Sequence, residues 1–347
     1  MVYKTIVQNR FNGIFSMSIV KLNRKTIFLT ILIVTTVIIM YSIITRSYTV
    51  LFKVNTSTLL LAVFIELIAW SLSAIRLRAI HKVLDGESRT LSFKNYFYAR
   101  LLGGLFAYLT PSAIGGEPAR AYYIHVKTGS SFSRYLALTI YEVIYDIIIV
   151  NIIAITLSVI ELPYTIPVII VSILSLTTWL LVYSIFKNIQ SSNSKQTIVS
   201  RINRFVRNKF IDKYVYISKG YSEFGASFRE IVDKIKLRDK ILIVLLSLAM
   251  YSTSSFTITL ISLSISSNTL NTMFVLKQYF RSFQAFFYSL SLGAIPTPGG
   301  SIAVEYGLSI VLNPEIVLIS RTISYYSVIL IGSVILLKTG FIKLINK

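Results

Sequence analysis

Leu109-Thr-Pro-Ser-Ala-Ile-Gly-Gly-Glu-Pro-Ala-Arg-Ala-Tyr-Tyr-Ile124 lies among apolar runs, yet it carries two prolines, a glycine pair, a carboxylate and a guanidinium. Pro111 and Gly115-Gly116 break a helix. Glu117-Pro118 starts a new one, because proline fits the first helical turn and a carboxylate suits the positive helix start. The stretch therefore reads as a broken helix in apolar surroundings. Lipid offers its free backbone groups no partner, so it must be buried in protein or line a wet cavity.

Working outward, Ile295-Pro-Thr-Pro-Gly-Gly-Ser-Ile-Ala-Val-Glu305 repeats the order of proline, glycine pair, helix start and glutamate. Lys94-Asn-Tyr-Phe97 precedes the first copy and Lys277-Gln-Tyr-Phe280 the second. Two interrupted apolar segments at matching positions of two halves point to a transporter site.

Composition sets the class. The chain of 347 residues is 54% hydrophobic and 14% charged, which excludes an ordinary soluble domain and indicates an all-α polytopic membrane protein. It has no cysteine, and its two histidines, His81 and His125, are too few for a metal site. No cofactor is expected. The net charge of +21 invites a nucleic-acid reading, but the basic residues crowd into loops beside apolar spans and no nucleic-acid fold signature accompanies them.

A crossing needs about 20 mostly apolar residues. Six runs qualify: Ile27–Thr45, Leu59–Ile80, Leu136–Ile160, Leu162–Phe186, Ile241–Ile265 and Ile316–Leu337. Residues 1–26 carry five Lys/Arg and no acid. No small-residue cleavage site follows, so they read as a cytoplasmic segment before a retained span. The link 76–94 holds five Lys/Arg against two acids, which places it inside as well. Arg120, Lys127 and Arg134 place the far side of 95–125 on the same face. That segment is too short for two crossings, so a re-entrant hairpin is expected there.

The flanks of 277–314 are nearly free of positive charge, and a second hairpin is expected to enter from outside. The tail with Lys338, Lys343 and Lys347 ends inside. Two membrane halves, 27–186 and 241–347, then form an inverted-topology repeat. A rival topology counts each hairpin as one full span and puts residues 187–240 outside. That insert has 13 basic and 5 acidic residues. Val199, Ile202, Phe205 and Val206 alternate in it with basic residues at helical spacing. Such a segment lies on an anionic cytoplasmic leaflet or forms a solvated linker.

Charge at membrane depth is costly and has to find a partner or a cavity. Glu66, Arg76, Glu117, Arg120, Glu142, Asp146, Glu305 and Arg321 are such charges in this chain. Glu142 and Asp146 share a helix face and need cations, for which Arg76, Arg120 and Arg321 are candidates. The helix start at Gly115, Gly116 and Glu117 favours a phosphate, with Arg120 adding a bidentate grip. At the second hairpin Ser301 is placed to cap the helix after Gly299-Gly300. Glu305 there faces Arg321 or a cationic group of a substrate.

Together these residues resemble the membrane domain of lysylphosphatidylglycerol synthase and its stand-alone, flippase-like relatives. The likeness rests on Arg76, on Pro111 with Gly115-Gly116-Glu117-Pro118 and Arg120, on Glu142 and Asp146, on Pro296 to Gly300 with Glu305, and on Arg321. It covers roughly residues 25–340. One departure is Val143, where the family pattern leads one to expect an arginine beside Glu142. The resemblance implies movement of lipids between leaflets of the cell membrane, and residues 1–347 hold no synthetase domain. The expected partners are lipids with phosphate head groups, with self-association left open and no nucleic acid. A transporter rather than an enzyme is expected. An enzyme acting on lipid head groups and a small-solute or ion transporter are the alternatives.

Overall fold

The computed structural model describes residues 24–52, 54–110, 113, 115–188, 211–266 and 271–341. These residues form eleven α-helices and no strand. The first six are α1 (Arg24–Ile44), α2 (Thr56–Asp85), α3 (Phe93–Tyr108), α4 (Gly116–Thr128), α5 (Phe132–Ser158) and α6 (Ile166–Lys187). Next come α7 (Ile211–Lys234), α8 (Leu237–Ile265), α9 (Thr272–Leu292), α10 (Ala303–Ser309) and α11 (Pro314–Thr339). Helices α1, α2, α5, α6, α8 and α11 are long and apolar enough to cross a membrane. They fall on the six expected runs, with ends shifted by a few residues. At α6 the start moves inward: residues 159–165 form a turn containing Pro163, and Pro167 takes the first helical turn.

Between the spans stand two helical hairpins. In the first, α3 and α4 have 16 and 13 residues, or about 24 and 20 Å at 1.5 Å per residue, short of a hydrocarbon core of about 30 Å. Tyr123 of α4 donates to Asn95 Oδ1 of α3 at 3.2 Å, so α4 returns to the end where α3 began. In the second, α9 leads through the 3₁₀ turn Pro298–Gly300 into the short α10. The chain then reaches Asn313 and Glu315, which share a cleft with Ser262, Gln278 and Arg281. This hairpin also returns to its starting end.

Side-chain pairs fix the relative directions. Glu66 of α2 meets Ser254 of α8, while Arg76 meets Ser247. The central pair α2 and α8 is therefore antiparallel. Helix α3 runs antiparallel to α11, since Gly104 lies against Val328 and Leu101 against Gly332. Helix α9 stands in the same relation to α5: Ser291 bonds Asn151, and Tyr288 donates to the Leu157 carbonyl. Each hairpin thus packs on a long apolar helix of the other half, and the two begin at opposite ends of the bundle.

Burial sorts the helices. Most of the apolar stretch of α11 is buried, whereas most of α6 is exposed. Helix α11 is therefore a core element, and α6 presents Ile170, Leu174 and Leu181 outward. Such apolar exposure suits lipid. The amphipathic pattern around Val199–Val206 lies outside the described residues. Helix α7, in the same insert, docks through Phe228, whose ring centroid stands 5.8 Å from Tyr141 and 5.6 Å from Phe186. Arg134 ties it down further, donating to Glu230 at 2.6 and 3.1 Å. Those bonds hold the Glu230 carboxyl below its usual range.

Candidate functional site

Arg76, on α2, reaches into the seam between α5 and α8. Its Nε and Nη2 donate to Glu142 Oε1 at 3.0 and 2.8 Å. Nη1 and Nη2 donate to Asp146 Oδ1 and Oδ2 at 2.5 and 2.7 Å. Ser247 Oγ accepts from Nη1, and Tyr251 OH donates to Asp146 Oδ1. The i, i+4 spacing of Glu142 and Asp146 puts both on one face, where a single planar guanidinium grips each of them.

Arg120 takes the other side of Glu142. Its Nη1 donates to Oε2 at 2.5 Å, and its Nη2 to Glu117 Oε1 at 3.3 Å. Arg76, Arg120 and Glu142 are at most 2% exposed. Glu117 and Asp146 keep about a quarter of their side chains accessible, 23% and 25%. The bonded network holds two cations and three carboxylates, so it is one positive charge short. Charges this buried are tolerable only when paired.

Arg100 on α3 supplies the missing charge at a distance. It lies within electrostatic reach of Arg76, Arg120, Glu142 and Asp146. Among the described residues it has no ion pair and no hydrogen bond. It lines a cavity of about 720 Å³ together with Glu117, Asp146, Tyr251 and Trp179. Asn151 and Ser291, bonded at 3.0 Å, belong to the same wall. So does Val143. Sequence reasoning passed over Arg100. The signal was there: a guanidinium inside the limb that leads to the broken helix.

The glycines of the first tip serve close packing. A Cβ on Gly103 would stand 2.4 Å from Arg120 Cγ, and one on Gly116 would stand 3.0 Å from the Gly103 carbonyl. Bare backbone at these points lets α4 lie on α3 with Arg120 crossing it. The Gly115 amide donates to Thr110 Oγ1 at 2.9 Å, so it is already occupied.

A second polar centre lies at the other tip. Arg321 Nε donates to Glu305 Oε1 at 2.7 Å, and its Nη2 donates to the Gly299 carbonyl. Its guanidinium stands 5.9 Å from the Tyr108 ring and 5.6 Å from the Tyr325 ring. Gly299 and Gly300 take φ of +58° and +70°, which glycine adopts freely. Both line a cavity of about 270 Å³ shared with Glu66, Ser254, Thr257 and Arg321. The expected cap by Ser301 is not made. Ile302, at φ +72°, precedes α10, and the Ser301 hydroxyl is buried without a partner.

The structure therefore sorts the predicted residues into two groups. Arg76, Glu117, Arg120, Glu142 and Asp146 form one network, backed by Gly115 and Gly116. Gly299, Gly300, Glu305 and Arg321 form the other. Arg321 does not reach Glu142 or Asp146. Ala113, Leu290 and Gly293 belong to the walls of both cavities, so the cavities adjoin where the tips meet.

Six spanning helices around two broken hairpins, with paired charges at their meeting point, define a multi-pass membrane protein with an internal polar site. The chain belongs to the lysylphosphatidylglycerol synthase TM region family, which matches residues 27–332. That family ties it to lipid handling in the membrane. Among curated proteins and among solved structures, nothing matches the chain.

Proposed function

We propose that this protein moves a phosphate-bearing lipid between bilayer leaflets, with the head group held in the cavity beside Arg100. The observation that carries the reading is the state of the three guanidinium groups. Arg76 and Arg120 are enclosed and spent on carboxylates. Arg100 is bonded to none and faces about 720 Å³ of space, a volume in the usual range of ligand pockets. An anion placed there meets a planar donor suited to phosphate. Glu117 and Asp146, partly accessible in the same wall, would face any cationic part of the head group.

Acyl chains have a path. Ser175 and Trp179 of α6 form part of the cavity wall, and α6 is the helix whose other faces are turned outward. In this reading both hairpins are re-entrant, the cytoplasmic side carries residues 76–94 and both termini, and the antiparallel halves expose the site alternately to each leaflet. The carboxylates are assigned to charge balance rather than to catalysis, because Glu142 is locked between two arginines.

Reconstituted protein is expected to move fluorescent phospholipid across vesicle walls. Arg100→Ala is expected to slow this by about 10–100-fold, the size of a lost charged hydrogen bond of about 1.5–3 kcal/mol. Unchanged movement in Arg100→Ala would remove this assignment. A head group altered in mass after incubation would instead favour an enzyme.

A further inference from the structure

Next to the head-group cavity lies a carboxylate that neither ion-pair network uses. Glu66 is the one charge between Leu59 and Ile75 of α2. It lines the smaller cavity. Its contacts are hydroxyls: Ser254 Oγ donates to Oε2 at 3.2 Å, and the Thr257 hydroxyl stands beside it. Among the described residues it has no ion pair.

The charged groups on each neighbouring helix are accounted for in turn. Arg321 of α11 shares the cavity but is held by Glu305 and Gly299. Glu142 and Asp146 of α5 are held by Arg76. Glu230 and Lys234 of α7 lie at the far end, where Lys234 donates to the Leu84 carbonyl. From α8 come Ser254, Thr257 and Tyr251, and the Tyr251 hydroxyl serves Asp146. From α3 come Tyr108 and Arg100. Arg100 lines the adjoining cavity, whose wall shares Ala113, Leu290 and Gly293 with the one that Glu66 lines, and among the described residues it is the nearby cation not already bonded.

A carboxylate at membrane depth with no bonded cation is poorly stabilised as an anion. Hydroxyl partners serve either form, since they can donate to a carboxylate or accept from a carboxyl proton. The same Arg100 is the group that answers the lipid phosphate. We propose that Glu66 is a proton-binding site linked to the head-group cavity through Arg100, so that lipid phosphate and a proton bind together. This rests on the lipid-phosphate reading above.

The direction of the linkage follows from charge. Ionised Glu66 draws on the field of Arg100. A phosphate at Arg100 cancels that field and adds a negative charge, and both effects favour neutral Glu66. Reciprocity then requires that neutral Glu66 strengthens phosphate binding by the same factor. The co-bound proton offsets the charge of the anionic head group. A pH difference across the membrane would bias the direction of movement.

The test uses the full chain in detergent with dihexanoyl phosphatidylglycerol, whose phosphodiester keeps its charge through the neutral range. Wild-type affinity is expected to rise by about tenfold as pH falls through that range, a coupling of ordinary size. Binding should take protons from a weakly buffered solution, read with an indicator dye. Glu66→Gln is expected to bind tightly at every pH with no proton uptake. Wild-type binding that ignores pH, without uptake, overturns the coupling and leaves the head-group site standing. Binding that follows sodium instead of acid overturns it too. Binding that is absent, or indifferent to Arg100→Ala at every pH, overturns the head-group reading as well.

Discussion

The two hairpins meet the same problem, an acid beside a broken helix, with unequal means. At the first, Glu117 joins a network of two arginines and three carboxylates drawn from α2, α4 and α5. At the second, a single guanidinium answers Glu305 and one carbonyl. Thr297, Ser301 and Ser320 near that tip have buried hydroxyls without a partner, and so does Glu305 Oε2. Fewer polar ties mean a lower free energy of local opening. Among the described residues, the first hairpin is thus tied by more ion pairs than the second.

The largest test of this contrast is Glu142→Ala. It leaves two enclosed guanidinium groups short of their shared carboxylate, and losing one side of a buried pair costs about 3–5 kcal/mol. Thermal unfolding in detergent should show a large drop. A shift within error would mean that the network is not cemented.

Next come the glycines that seat each hairpin. Gly307→Ala places a Cβ 2.7 Å from the Ser289 backbone nitrogen, whereas Gly103→Ala places one 2.4 Å from the Arg120 side chain. Both overpack, at about 1–3 kcal/mol. The Gly307 variant should be the worse of the two, because backbone yields less than a side chain. Unfolding midpoints of the two variants give the order, and the reverse order would show Arg120 to be the more rigid neighbour.

A smaller effect is expected from Glu305→Gln. It keeps one acceptor for Arg321 but removes the charge, which lowers a charged hydrogen bond to a neutral one, a difference of about 1 kcal/mol. Hydrogen exchange should quicken in α10 and leave α4 unchanged. Equal quickening in both would erase the distinction between the tips.

The smallest concerns pH, at the edge of the first half. Hydrogen bonds from Arg134 hold the Glu230 carboxyl below its usual range. Its contribution is therefore complete above the ordinary glutamate value of about 4.3. It fades as the solution is acidified through the lower folded value. The pair is partly solvated, so less than about 1 kcal/mol is involved. Proteolysis of α7 should increase in acid for the wild type and lose that dependence in Glu230→Gln.

Much of this was legible in the chain. The six apolar runs announced six long helices because a bilayer sets their length and admits no unpaired backbone. The interruptions at Pro111–Gly116 and Pro296–Gly300 announced the two breaks because proline and glycine fail in a helix interior. Glu142 and Asp146 declared a shared face through their spacing. The Ser301 cap failed because the chain turns at Ile302 with positive φ, a backbone choice that no local pattern signals.

What the sequence determined by itself is whatever depends on neighbours along the chain: span length, helix breaks, the face on which an acid lies, and the membrane as solvent. What only the tertiary structure decided is which charge meets which. Arg76 and Arg120 converge on Glu142 from helices far apart in sequence, Arg321 is kept from them by Glu305, and Arg100 is left over. Coulomb attraction and hydrogen bonding act through space, and the distances that rank them exist only once the helices have packed.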